Sequence, residues 1–539
     1  MAGFDFIIIG AGSAGCVLAD PLTACGRFQV LVIEAGPTDR KLRVRVPFGF
    51  GGLFHDPVVN WCYYTTPQPA LADRANYWPR GKLVGGSSSI NAMVYHRGQP
   101  ADYDAWAAAG NHGWDYASLA PIFDSYEDVI IDRTRRPRAG RLTITDPASD
   151  YHPIKHYFFR MATELGLPIS RTGRIDGIGI YPYCITTRNG VRCSSSTAFL
   201  YPALARRNLT VMRNAIVERI IVKDKHAVGV MVHQHGQSRR IAMRREIILA
   251  AGAVNSPQIL QLSGIGAVAD LAPCGITPLV VLPHVGRNLA DHLGVSYHHR
   301  AKYPTVNNIL NSWPQLIAAG LRYGVTRRGL FSIGVNQLGG LLATRPGLPD
   351  ADMQLYINPI SYRRDAAGRI GWPDRAPGFT LSFSACRPKS RGRVSIDSTD
   401  PWSPLVIDPG YLTAPDDAAD VVRMARVIGR MQQSKALGAL LAMPPETPLA
   451  RMDDAAILID FAARAESVYH PCGTCRMGPD PATAVVDSDL RLHHLGGLRI
   501  VYASVFPSIP SANLNAPTMM LAHKAAMMIV ADARGGALR

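Results

Sequence analysis

Two segments near the C-terminal end of this chain carry residue types suited to moving a proton: SVYHPCGTCRMG over 467–478 and SANLNAPT over 511–518. Histidine has the intrinsic pKa of a base that works near neutrality, and His470 is followed by Pro471, which restricts its backbone. An asparagine amide can hold a substrate oxygen and stabilise a developing alkoxide, a task open to both Asn513 and Asn515. By itself the first segment reads by default as a loop with a structural histidine. Its Cys472 and Cys475 form a CxxC, read as a redox pair or half of a zinc site, and no second Cys or His pair at metal spacing accompanies it. His493 and His494 in LRLHHLGG have no motif around them and read as surface or satisfied residues.

Such a pair has to be positioned against something, and the N-terminus supplies it. FDFIIIGAGSAGCVLADPL opens with a short apolar strand, turns through Gly10, Gly12 and Gly15, with Ser13 and Ala14 between them as further cofactor-binding candidates, and then enters a helical pattern. In this GxGxxG the first glycine permits the tight turn, the second lets backbone approach a pyrophosphate, and the third allows close helix-to-strand packing. The helix start then offers N–H groups and partial positive charge to phosphates. A second strand, 29–33, ends at Glu34 and Ala35, about 20 residues past the glycines, where a carboxylate accepts from ribose hydroxyls and repels a 2′-phosphate. FAD or NAD is expected over NADP. Pro21 inside the first helix predicts a kink or an early end. GIGAVA at 264–269 repeats the glycine spacing but follows the helical QILQLS, so one dinucleotide fold is expected and hydride should come directly from substrate.

The bulk numbers fit a large globular chain: 539 residues, 47% hydrophobic and 18% charged. Two or more intertwined domains are expected. The net charge of +16 is scattered, with short clusters at 133–138 and 239–245, and lacks aromatic interleaving or a nucleic-acid motif. It reads as a solvated basic surface that steers anions weakly. Nine cysteines, mostly far apart, do not make a disulfide framework and fit a reducing compartment. No basic leader precedes a long apolar run, and no window reaches the length of a membrane span. A cytoplasmic protein without an integral membrane segment is expected.

Four blocks give the chain a family resemblance. GKLVGGSSSINAMVYHRGQPADYDAW (81–106), GAVNSPQILQLSGIG (252–266) continued by PHVGRNLADHLG (283–294), and the closing LRIVYASVFPSIPSANLNAPTMMLAHKAAMMIVAD (498–532) join the SVYHP segment. Together they resemble the glucose-methanol-choline (GMC) family of flavin oxidoreductases, with bacterial alcohol and choline dehydrogenase-like and aryl-alcohol or hydroxymethylfurfural oxidase-like patterns. The match spans nearly the whole chain and is weakest between about 300 and 385. Read locally, Asn255 caps a helix that starts before Pro257, and Asn515 to Thr518 start the last helix with Pro517 in its first turn.

The resemblance implies an α/β fold, α+β overall: a Rossmann-like FAD-binding domain from 1–155, 206–300 and 465–539, and a substrate domain of antiparallel sheet and helices from 156–205 and 301–464. It implies contacts to FAD from Gly85, Gly86 and Ser87, from Asn91, Ala92, Met93 and Val94 beside the flavin ring, and from Val217, Tyr469 and Ala503. Asn515, Pro517 and Thr518 would bring a helix N-terminus to the pyrimidine end of the flavin, where reduction leaves negative charge. His470 falls on the base position and Asn513 on the partner position. Tyr469 would border flavin and substrate.

Departures from the family pattern carry their own expectations. Some relatives carry a flavin-linked histidine where this chain has Ile90, so FAD should be non-covalent. Tyr502 stands for a common Asp, putting one carboxylate contact to the cofactor in doubt, and Ala512 for a Gly, tightening the turn. Gln337 stands for a Glu common in bacterial relatives, which removes a counter-charge for a cationic substrate such as choline. Trp313, Phe331, Tyr356 and Tyr362 suit an aromatic or polyol alcohol, or serve as core.

The expected reaction is oxidation of a small-molecule alcohol to a carbonyl compound, with oxygen or a quinone-type acceptor taking the electrons onward. The rivals are a lyase that keeps FAD as scaffold, and a non-catalytic dinucleotide-binding protein.

Overall fold

The structure is a computed structural model that describes residues 3–131, 134–135, 140–364 and 370–535. Most of the basic cluster at 133–138 lies outside the described residues. Two sheets organise the chain. The first has seven strands, in the order Leu209–Met212, Val30–Ile33, Phe4–Ile9, Gln237–Leu249, His226–Gln234, Ala215–Lys223, with Leu498–Ile500 added in parallel beside the end of Gln237–Leu249. Its central strands are continuous apolar runs, FIII and VLVI, because both faces are covered. The register aligns Ile9 with Ile33 and Leu249, Ile33 with Met212, and Leu249 with Ile500. Five strands therefore end at one level, at the carboxyl edge where doubly wound folds bind ligands.

Gln237–Leu249 does two jobs. Its first half pairs antiparallel with His226–Gln234, and its second half pairs parallel with Phe4–Ile9. Arg239, Arg240, Arg244 and Arg245 lie along this strand, and its first four residues are exposed. The helix Ser13–Ala24 packs under the first turn, and Pro21 does not end it at once: three more residues follow. A second expected helix differs more. It begins at Gly252, directly after the strand, with φ at +92° there, so Pro257 lies inside the helix and Asn255 is not its cap. The glycine's left-handed backbone makes the sharp turn that a capping residue was expected to mark.

The second sheet is antiparallel and has six strands, ordered Glu466–Ser467, Leu293–Arg300, Gly378–Ala385, Met353–Asn358, Leu338–Leu342, Tyr181–Pro182. Leu293–Arg300 and Glu466–Ser467 belong to it although both fall within ranges expected for the nucleotide part. Strand alternation explains its two faces. Met353, Leu355 and Ile357 point into a core shared with Val421, Met424 and Ile428 of the Pro415–Gln433 helix, and Gln354, Tyr356 and Asn358 point the other way. Each fully buried aliphatic side chain there contributes roughly 1.5–3 kcal/mol. Among the described residues no helix is long and apolar enough to cross a membrane.

Candidate active site

Two cavities meet between the sheets. The first is lined by Gly10, Gly12, Ser13, Glu34, Ala35, Gly86, Val217 and the start of the Gly252 helix. The second, of about 810 Å³, is lined by Asn91 to Val94, Tyr469, His470, Ala503, Asn513, Asn515 and Thr518. Ser13, Arg80, Ser87 and Tyr502 border both, so the two form one trough. Ala14, Gly15, Gly85, Pro517 and Gln337 do not line it.

The trough's narrow end is made of bare backbone. A Cβ on Gly15 would lie 1.9 Å from the Gly10 carbonyl oxygen, and one on Gly86 would lie 2.7 Å from the Gly12 Cα. Gly12 precedes the Ser13–Ala24 helix and no side chain caps it, leaving the first-turn N–H groups for a ligand. Ser13 Oγ donates to Asn515 Oδ1 at 2.8 Å, tying this helix start to that of Asn515–Gly535. Two positive helix ends thus face the same trough. Glu34 accepts from the N–H groups of Ala11 and Gly36, both at 2.9 Å, and burial pushes its pKa up to about 7. An uncapped helix start, a glycine wall and a buried carboxylate at the end of the second strand fit FAD. Gly85 (φ +87°) helps form the glycine turn, and Pro517 sits in the first turn of the last helix, so both shape the wall from behind.

At the wide end the backbone of Tyr469 takes φ +68°, a left-handed conformation uncommon for a side-chain-bearing residue. Three bonds hold it: Tyr469 N–H donates to Ser467 Oγ at 2.8 Å, Arg80 Nη2 donates to the Tyr469 carbonyl at 2.5 Å, and the His470 N–H donates to Asp291 Oδ1 at 2.8 Å. Asp291 Oδ2 in turn accepts from Ser467 and Tyr411, each at 2.6 Å. The turn points the His470 ring into the cavity.

The proton positions around that ring follow from its neighbours. His292 Nε2 lies 3.0 Å from the Cys386 carbonyl, which can only accept, so His292 carries its proton there. Burial depresses the His292 pKa to about 4, leaving its Nδ1 bare. His470 Nδ1 lies 2.9 Å from that Nδ1 and must be the donor. The lone pair of His470 is therefore on Nε2, where the Asn513 amide donates at 3.2 Å. Burial first, then His292 and Arg80, hold the His470 pKa well below its ordinary value, so it is a neutral base. Asn513 Oδ1 accepts from Gln354 Nε2 at 3.2 Å, which fixes the amide with its N–H side toward His470 and Tyr356. Asn515 faces Ser13 instead.

The chain matches the GMC oxidoreductase family model in two parts, residues 4–294 and 388–522. It is a GMC oxidoreductase. It is 36% identical to the alcohol dehydrogenase (acceptor) of Pseudomonas putida, over 98% of this chain and 96% of that protein. To the mitochondrial choline dehydrogenase of Homo sapiens it is 35% identical, over 98% of this chain and 89% of that one. The pyridoxine 4-oxidase from Mesorbium loti has the same fold, with a TM-score of 0.86 at 29% identity, covering 98% of this chain and 99% of its own. A formate oxidase at 24% identity shares the fold with a TM-score of 0.90, covering 99% and 100% of the two chains. As a GMC oxidoreductase the chain binds FAD and acts on CH–OH groups, and these relatives lend no support to the lyase reading.

The GMC oxidoreductase differs from its sequence reading at several side chains. Gln337 is buried, and its Oε1 accepts from the His152 N–H at 2.8 Å, so it turns away from the substrate cavity; its neighbour Asn336 lines the wall. Trp313 is 78% exposed and stands outside the cavity, whereas Phe331, Tyr356 and Tyr362 line it. Tyr502 borders both cavities where a carboxylate was noted as missing, and Ala512 packs beside Leu341, Ala351 and Cys386. Ile90 packs with Val44, Leu53, Val59 and Leu83, an apolar cluster with no linking nucleophile in it. Cys472 and Cys475 are buried thiols whose pKa values burial raises, the opposite of an activated redox thiolate.

Sequence reasoning missed His292, Arg80 and Gln354. The signal for His292 was present in ADHLG, adjacent to the quoted Asp291; both residues address His470, one by its side chain and one through the backbone. Arg80, in WPRGK, is half-buried, its pKa lowered by that burial, and no local spacing announces it.

Proposed function

We propose that this enzyme oxidises an uncharged alcohol with an apolar body to the aldehyde or ketone, with His470 as base and Asn513 as its partner. Bound FAD supplies the two-electron acceptor for the hydride. The chain's own part is to place the hydroxyl between His470 Nε2 and the Asn513 amide, take its proton on Nε2, and stabilise the alkoxide character with the amide N–H. The proton held on His470 Nδ1 by His292 and the Cys386 carbonyl is the observation that carries this reading, because it leaves Nε2 alone free to accept. Arg80, bordering both cavities, adds positive charge where negative charge develops.

The cavity's lining favours an uncharged substrate. Phe50, Leu310, Leu316, Phe331, Ile360 and Trp372 form much of its outer wall. Glu466 is the carboxylate among the described lining residues, and its charge acts on Arg74. A quaternary ammonium would meet little counter-charge there, while an aryl or alkyl group would be covered.

FAD is held without a covalent link in this reading, since Ile90 offers no nucleophile. The division keeps 1–155, 206–300 and 465–539 for the FAD-binding domain and 156–205 and 301–464 for the substrate domain, except that Leu293–Arg300 and Glu466–Ser467 go with the substrate-side sheet. A cytoplasmic location accords with cysteines such as Cys16 and Cys193 that form no disulfide.

The test is a substrate panel under anaerobic conditions, with the FAD-loaded protein mixed in turn with aryl, alkyl, sugar and quaternary-ammonium alcohols. Flavin bleaching by aryl or alkyl alcohols supports the proposal, and faster bleaching by choline would overturn the substrate class. Admitting oxygen then separates an oxidase from a dehydrogenase that passes electrons to a quinone-type acceptor. Cyanohydrin cleavage without bleaching would replace the proposal by the lyase reading.

A further inference from the structure

Beside the cavity mouth lies a helix turned inside out. Trp313–Thr326, WPQLIAAGLRYGVT, buries Tyr323 but exposes Trp313 (78%), Ile317 (59%), Leu321 (66%) and Val325 (86%). These four recur every fourth residue and share one face. On a helix that only covers a core, that face would be polar. Trp372 extends the patch: it is 66% exposed, and its indole N–H donates to Asn311 Oδ1 at 3.1 Å, which pins the ring just ahead of the helix. A contiguous apolar surface of this kind marks a contact site.

The rim is basic. Arg327 and Arg328 are exposed at the helix's C-terminal end, with the Arg327 guanidinium 5.2 Å from the Tyr323 ring centre. Arg322 shares Asp150 at 3.3 Å, Arg363 lies 3.9 Å from Asp374, and Arg375 is exposed. Among the described residues, five arginines thus surround two nearby carboxylates, on a chain of net charge +16.

We propose that this face docks on an anionic lipid bilayer, the helix lying in the interface with its apolar stripe among the acyl chains and its arginines at the headgroups. Tryptophans at the edge suit the boundary between headgroup and hydrocarbon. Self-pairing of the same face would set one basic rim against another, whereas anionic headgroups complement it. The helix is 14 residues long, too short to span and long enough to lie flat. Leu316 of this helix, with Phe331 and Trp372, also lines the cavity, so an apolar alcohol dissolved in the bilayer reaches the site without crossing bulk water. That last consequence rests on the function proposed above, whereas the docking does not.

The experiment sediments the FAD-loaded enzyme, without alcohol, with vesicles of phosphatidylcholine alone and of equal parts phosphatidylcholine and phosphatidylglycerol. The wild type should bind the anionic vesicles, and I317E/L321E/V325E should bind at least about tenfold more weakly while keeping its FAD and its rate on a short water-soluble alcohol. R327Q/R328Q should bind more weakly, and added salt should release the wild type. Wild type left in the supernatant, or a triple variant that sediments equally, overturns the proposal. So does a wild-type dimer that the triple variant breaks without any vesicle binding, which would assign the face to a second copy.

Discussion

His292 Nδ1 and His470 Nδ1 lie 2.9 Å apart with their rings nearly perpendicular, at 85°. Two like nitrogens at that separation need one proton between them, and the Cys386 carbonyl on the far side of His292 decides whose it is. His292 is thus a positioning residue. It selects the His470 tautomer that can take a proton from the cavity side.

Replacing His292 with Ala should lower kcat by at least about tenfold, a part of the ~10²–10⁴ that a positioned general base supplies. KM should change little, since the ring does not itself line the substrate cavity. Asparagine at 292, which can accept from Nδ1–H, should recover part of the loss. Equal losses in both variants would indicate a packing defect.

The two asparagines should separate cleanly. Asn513→Ala removes the amide that faces His470 Nε2, and should cost roughly 10²–10³ in the rate of flavin reduction, as for a lost oxyanion donor. Asn515→Ala removes the acceptor for Ser13 Oγ and should show first as weaker FAD retention. Rapid kinetics on FAD-saturated protein distinguishes them, and the reverse pattern would exchange their roles.

The pH dependence has a definite sign. The working form of His470 is neutral, and its pKa lies well below 6.5. Thus kcat/KM should stay level from neutral pH down past 6.5 and fall only at more acidic pH. An apparent pKa above 7 in the wild type would contradict the assigned environment.

Glu34, with its pKa raised to about 7 by burial, favours the FAD-free fold least when ionised: that contribution to stability is present at acid pH and declines as pH rises from about 4.5 through 7. Ribose hydroxyls donating to the carboxylate favour its charged form, so FAD should bind more tightly above pH 7 than below. Glu34→Gln should weaken binding by about tenfold or more, in line with hydrogen bonds to a charged group. Titrating FAD into apoprotein measures both. Denaturation should release all of the flavin, as befits Ile90.

Local patterns revealed what is locally determined. FIIIGAGSAG reads as strand, turn and helix because glycine spacing and an apolar run act over a few residues, and the structure places them so. The helix after Gln237–Leu249 was misjudged because Asn255 and Pro257 look like a start signal, while Gly252 at positive φ had already begun the turn. Gln337 was placed on the substrate wall by its position in the chain, yet which face of a strand end looks into a cavity is set by tertiary packing, here the bond to His152 N–H. Gln354 acts on Asn513 from a distant part of the sequence and nothing nearby signals that pairing, whereas His292 stands next to Asp291 in ADHLG although its bond to His470 spans 178 residues. The outward apolar face of Trp313–Thr326 was equally hidden, since its helical spacing looks the same whether the stripe faces core or solvent.

The most direct test is anaerobic stopped-flow reduction of the FAD-loaded enzyme by an aryl or alkyl alcohol, comparing wild type with His470→Ala. Rapid bleaching in the wild type and at least about 10²-fold slower bleaching in the variant is the predicted result. Equal rates in the two proteins would contradict the assignment of His470 as the base, and a wild-type flavin that no alcohol bleaches would contradict alcohol oxidation itself.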